Sequence, residues 1–149
     1  MYRARLGKNL EKLTLDYVSS INDDAEIAHY DILGSQAHAI MLYENKILTK
    51  NEVKKILKGL ESLKKVKFTK KTDSEDIHEL IESLVIKKIG IDAGGKMHTA
   101  RSRNDQVALD IRMKIRDDIN ITCQCLLDTI KSLVVLAKKH QETIIPLYT

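Results

Sequence analysis

From Ala108 to Ala137 the apolar positions return at steps of three and four: Ala108, Ile111, Ile115, Ile119, Thr122, Leu126, Ile130, Leu133 and Ala137. No glycine or proline interrupts the stretch before Pro146. That period belongs to one face of an α-helix. It predicts a helix of roughly 35 residues, about 50 Å long at 1.5 Å per residue. A globule of this chain length is only about 30–35 Å across. Such a helix outruns the core that the rest of the chain can build. It is expected to join a bundle completed by further sequence or by other subunits.

The remaining pattern is also helical. "LEKLTLDYV" predicts a short helix near the N-terminus. A longer one is predicted from Asp24 to Asn45, with Leu33, Ala37, Ile40 and Met41 as its apolar stripe and Asp23 and Asp24 at its positive end. Thr49 followed by Glu52 reads as a capping box. It opens a helix whose Val53, Ile56, Leu57, Leu60 and Leu63 share a face. After the polar connector "KKVKFTKKTDS", Asp73 or Ser74 can cap a further helix. Its face is Ile77, Leu80, Ile81, Leu84 and Val85, and Gly90 is its expected stop. The fold class expected is all-α, with a loop through "GGKMHTARS" leading into the long helix.

Composition narrows this only a little. The 149 residues suit one ordinary domain, with 43% hydrophobic and 31% charged residues. One proline and six glycines disfavour a turn-rich β-sandwich. The net charge of +4 would admit a nucleic-acid partner, but the lysines alternate with acids on helix faces and no basic block is interleaved with aromatics. No nucleic-acid partner is therefore expected. Cys123 and Cys125 stand two apart and point to nearly opposite sides of a helix, so they read as reduced packing residues. The N-terminus has no apolar signal core and no run approaches 18 apolar residues, so the expectation is a soluble, cytoplasmic protein with no membrane partner.

The chemistry gathers in "GGKMHTARSRND", Gly94 to Asp105. Arginine forks bind carboxylates with two parallel bonds. A helix start offers unpaired N–H groups and partial positive charge. Arg101 and Arg103 beside that start, with Asn104 or Asp105 as cap and the Gly94–Gly95 pair letting backbone approach a ligand, make an anion site suited to a small di- or tricarboxylate. The competing reading gives both arginines structural ion pairs with acids such as Asp105. His78, in "SEDIH", sits in the first turn of its helix among carboxylates, and alone reads more readily as structural; His98 lies in the loop. His29, His38 and His140 carry no motif. No histidine pair has zinc spacing with a third ligand, and neither a P-loop nor a dinucleotide fingerprint is visible.

"GGKMHTARSRNDQVALDIRM" resembles the signature of the argininosuccinate lyase family, within the aspartase/fumarase superfamily. "SSINDDAEIAHYDILGSQAHAIML", "SEDIH" and "PLYT" resemble three further segments of that family, and "RARLGKN" matches more loosely. Leu147 stands where the family usually has glycine. The resemblance implies a small helical N-terminal domain, residues 1–103, and the start of a central long-helix bundle, residues 104–149. It implies a homotetramer with shared active sites, each built from three subunits. It also implies reversible cleavage of argininosuccinate to arginine and fumarate, in arginine biosynthesis, without metal or organic cofactor. Residue by residue, Ser20, Asn104 and Thr149 fall on substrate-binding positions, and Asp24, His78, Ser102 and Arg103 on active-site positions. His78 and Thr149 are the expected catalytic residues; Ser20, Asp24, Ser102, Arg103, Asn104 and Thr149 are expected to bind substrate.

The family's histidine would follow Thr149 and its catalytic serine loop lies far downstream. The chain is accordingly expected to be an N-terminal portion, inactive alone. Three rivals remain open: a sister lyase acting on adenylosuccinate, a non-enzymatic δ-crystallin-like relative, and a basic helical nucleic-acid-binding module.

Overall fold

The computed structural model describes residues 14, 17–68 and 74–148. Every regular element among them is helical: α1 Ile21–Asp24, α2 Ala28–Glu44, α3 Lys50–Leu63, α4 Ile77–Ile89, α5 Ile91–Gly94 and α6 Arg103–Lys139. The expected all-α class is what the chain adopts. The helix expected in "LEKLTLDYV", the cap at Asp73 and the C-terminal Thr149 lie outside the described residues.

The chain forms two compact units, residues up to Ile111 and residues from Arg112. The first turns of α6 therefore group with the N-terminal unit, eight residues beyond the division expected at 103/104. In the first unit α2 packs on α3 and α4, and α3 and α4 both meet α5. Ile32, Leu42, Ile56, Leu60, Ile77, Ile81 and Val85 fill the centre. Side chains of this size each stabilise by roughly 1.5–3 kcal/mol when buried.

Local signals set the ends of these elements. The Thr49 hydroxyl accepts from the Glu52 N–H (3.3 Å), and the Glu52 carboxylate accepts from the Thr49 N–H (2.8 Å), so the capping box forms in both directions. The buried face of α3, Val53, Ile56, Leu60 and Leu63, is the one its period predicts. Gly90 ends α4 with φ 89°. The cap of α4 is Asp76, neither of the two residues expected: its carboxylate accepts from the Glu79 N–H at 2.6 Å. The aspartate immediately before the apolar run wins because it reaches the third amide of the first turn.

Two expectations fail on packing grounds. The predicted Asp24–Asn45 helix is broken at residues 25–27, where a tighter bond from the Ile27 N–H to the Asp24 carbonyl (2.9 Å) interrupts the α pattern. Its buried face is also a different one. Asp31, Ile32, Ser35, Ala39 and Leu42 turn inward, while Ile40 and Met41 are exposed. The core-facing stripe of α2 contains two polar residues, and they hide it from a search for apolar period.

The second unit is simpler. Its part of α6 continues without a break past Cys123 and Cys125, and every residue from Ile115 to Tyr148 is exposed. Both cysteines are free and exposed rather than packed. Beyond Ile121 the apolar residues leave the single stripe: Leu126, Leu127, Ile130, Leu133, Val134, Val135 and Leu136 surround most of the helix. A helix apolar on all sides needs a buried environment. By length and composition α6 would also suffice to cross a membrane.

Candidate active site

The mouth of α6 is built by its own first turn. Ser102 stands just before the helix, and its Oγ accepts from the Asn104 N–H at 3.2 Å. The Asp105 carboxylate accepts from the Ser102 N–H at 3.2 Å. The cap is thus Ser102, with Asp105 returning the bond from the third helical position, where Asn104 or Asp105 itself was expected to cap. Asn104 is exposed at this mouth.

Three of the expected site residues, Ser20, Asp24 and Arg103, meet at the turn before α4. The Ser20 hydroxyl donates to Asp24 at 2.5 Å, and the Ser20 N–H donates to the Glu75 carbonyl at 3.0 Å. The next residue, Asp76, lies 3.3 Å from Nε of Arg103. Ser20 and Asp24 are therefore tied to one side of the Glu75–Asp76 turn and Arg103 to the other. Arg103 also donates to Gln106 at 2.9 Å and approaches Glu82 at 3.9 Å. Its fork holds structural partners, as the competing reading of the sequence proposed, but with Asp76 and Glu82 in place of Asp105.

Arg101 takes another path. Ala100 adopts φ 56°, in the left-handed region, and Arg101 turns inward to donate to the Ser35 hydroxyl at 3.1 Å. Burial lowers its pKa, while Asp31 and Asp110 oppose the shift. His98, partly buried, is held below its ordinary value by desolvation and then by Arg101 and Arg103. His38 is lowered by burial and by Arg101, against the bond from its Nε2 to the Thr99 carbonyl (2.8 Å). The two arginines and the amides of the helix start make the approach to α6 electropositive, while burial and the nearby guanidinium charge keep His38 and His98 toward their uncharged forms.

His78 does not face that approach. It is 1% exposed, with Nδ1 at 3.2 Å from Asp31 and 3.5 Å from Asp110. Gln106 donates to Asp31 at 2.5 Å. Asp110 is driven up to about 7 by burial and by Asp31, against the pull of His78 and Arg101. The atoms of Asp31, His78 and Asp110 lie within 4.8 Å of one another. A small cation would find donors there, but the charge of Arg101 already faces both carboxylates.

Asp31, Ser35, Gln106 and Asp110 escape the motif reading. Their signal is a polar pair four residues apart on one helical face, Asp31 with Ser35 and Gln106 with Asp110, each set in an apolar-periodic segment. The glycines of the loop are also needed for packing. A Cβ at Gly94 would stand 2.9 Å from the Ile86 Cα, and one at Gly95 would stand 2.8 Å from the Ile91 carbonyl oxygen. Gly94 lets α5 seat against α4, and Gly95 lets the chain turn closely over the start of α5.

A helical unit that gathers hydroxyl, amide and guanidinium donors at the start of one very long helix defines a class: the chain belongs to the lyase family, which it matches over residues 5–149. Particular relatives narrow the likeness. Argininosuccinate lyase of Nitrosopumilus maritimus (strain SCM1) is 69% identical over 149 residues, covering 100% of this chain and 31% of the relative. Argininosuccinate lyase of Methanocaldococcus jannaschii is 43% identical over 150 residues, covering 99% of this chain and 31% of the relative. That of Caldanaerobacter subterraneus subsp. tengcongensis is also 43% identical, covering 100% of this chain and 34% of the relative. The resemblance read from the motifs is borne out, and the chain spans about a third of the length of these curated relatives.

Proposed function

We propose that, within a protein of its relatives' length, this chain carries the anion-binding part of an argininosuccinate lyase site. The reaction is the reversible elimination of argininosuccinate to arginine and fumarate, serving arginine biosynthesis in the cytoplasm without metal or organic cofactor. The observation that supports it most is the mouth of α6, where the exposed Asn104 and the Ser102 cap lie beside the guanidinium groups of Arg101 and Arg103. Removing a proton next to a carboxylate loads charge onto that carboxylate, so donors already in place lower the barrier. Ser102, Asn104 and the helix amides take that role. Arg103 adds positive charge while its fork holds Asp76, and the Ser20–Asp24 pair lines the adjoining edge. Thr149 keeps the carboxylate-holding role implied by the resemblance.

The exposed apolar surface of α6 supports a homotetramer with shared sites. Burial between chains satisfies a helix apolar on most sides, and large exposed apolar strips favour association. Asp128 and Lys131 within that stretch favour a protein bundle over a bilayer, where charged residues are costly. The names of the relatives favour argininosuccinate over adenylosuccinate as substrate.

Steady-state kinetics on the full-length protein test the assignment. Asn104→Ala and Arg103→Ala should each lower kcat/KM about tenfold or more, since losing a charge-assisted or transition-state donor costs roughly 1.5–4 kcal/mol. Folded variants with unchanged rates would remove the mouth of α6 from the site.

A further inference from the structure

Beneath the mouth of α6 lies a buried polar cluster that binding at the mouth does not use. Three helices and the preceding loop supply it. Asp31 and Ser35 come from α2, His78 from α4, Gln106 and Asp110 from α6, and Arg101 from the loop. Asp31, Ser35, His78, Gln106 and Asp110 are each at most 3% exposed. Gln106 bonds Asp31, and Arg101 bonds Ser35. Both nitrogens of His78 and both oxygens of Asp110 lack a well-aligned partner, although Nδ1 of His78 stands within ion-pair range of both carboxylates. The helices are made to meet here: a Cβ on Gly34 would stand 3.0 Å from Leu109 and 3.4 Å from Asp110.

Charge explains the composition. Two carboxylates and one guanidinium leave one negative charge uncompensated in a buried place, and one additional proton, on Asp110 or on His78, brings the group to neutrality. We propose that Asp110 is a positioning residue: through one proton shared with His78, beside Asp31, it latches the first turns of α6 to α2 and α4 and so fixes the donors of Ser102 and Asn104. His78 then acts on substrate only through the placement of α6. This rests on the reading of the α6 mouth as an anion site, but the latch can be measured apart from it.

The sign of its pH dependence follows from the groups that face it. Asp110 meets Asp31 from α2, His78 from α4 and Arg101 from the loop, and Arg101 in turn meets Glu82 and Arg103. The pKa of Asp110 is raised from 3.8 to about 7. Its stabilising contribution is therefore fully present below 3.8 and is lost as pH rises through about 7. The latch should loosen on the alkaline side.

The experiment is hydrogen exchange over residues 103–110 of the full-length protein, corrected for intrinsic rates, alongside KM and kcat across the same pH range. In the unsubstituted protein, protection should fall as pH rises from about 3.8 to about 7 and level off above it, and KM should rise as pH passes about 7. Asp110→Asn, neutral at every pH, should abolish that step in both measurements. Asp110→Ala should lower protection at all pH values and raise KM roughly tenfold to a hundredfold, the scale of a small misplacement of binding groups, with less effect on kcat. A pH step surviving in Asp110→Asn would overturn the latch. So would a loss confined to kcat in Asp110→Ala with protection intact. If the unsubstituted protein turns over no argininosuccinate, the functional reading fails, and the exchange data still decide the latch.

Discussion

Ala100 and Ala108 receive the same substitution with opposite expected results. Ala100 is exposed and sits at φ 56°, where an L-residue's Cβ crowds the following carbonyl. That conformation costs roughly 1–2 kcal/mol per residue relative to the right-handed region. Glycine escapes the cost but brings a more flexible unfolded chain, worth roughly 0.5–1 kcal/mol in the other direction. Ala100→Gly should then stabilise by about 0.5–1 kcal/mol, since no buried side-chain contact is lost. Ala108 is also exposed, but lies within α6. There Ala108→Gly should destabilise by about 1 kcal/mol. Urea unfolding of the 149-residue chain separates the two, with the midpoint rising for one and falling for the other at a shared slope. If Ala100→Gly also lowers the midpoint, the left-handed turn is not strained. The account of how the chain steers Arg101 inward and Ser102 onto the helix start would then be wrong.

Other perturbations read other parts of the structure. Glu52 accepts from Lys96 and from both groups of Thr49, and its pKa falls from 4.5 to about 2. Its contribution is present above 4.5 and lost as pH falls through about 2, so Glu52→Gln should flatten the acid limb of a stability–pH curve over that window. Gly94→Ala places a Cβ 2.9 Å from the Ile86 backbone. It should lower the unfolding midpoint by about 1–3 kcal/mol equivalent, because helix backbone cannot yield cheaply.

Much of the fold was legible because pattern and packing agree. The capping box at Thr49, the face of α3 and the stop at Gly90 are local signals that tertiary contacts reinforce, and the unbroken run of α6 follows from its helical period alone. The face of α2 was not legible, because Asp31 and Ser35 occupy core positions for a reason that lies on α4 and α6. The same cause hid the cluster: Asp31 and Asp110 are far apart in sequence, and only folding brings both to His78. Motif reading found the residues that meet at the mouth of α6 but could not see that the fork of Arg103 already holds Asp76. The widening of the α6 stripe past Ile121 stood in the sequence, in Leu127, Val134, Val135 and Leu136, but a search for one apolar face passed over it.

The most direct test of the central claim is substrate choice by the full-length protein, followed as fumarate released in solution. Argininosuccinate should yield fumarate and arginine, adenylosuccinate should yield none, and Asn104→Ala should suppress the first reaction while leaving the far-ultraviolet helical signal intact. Fumarate from adenylosuccinate alone, no fumarate from either compound, or an undiminished rate in folded Asn104→Ala would contradict the account.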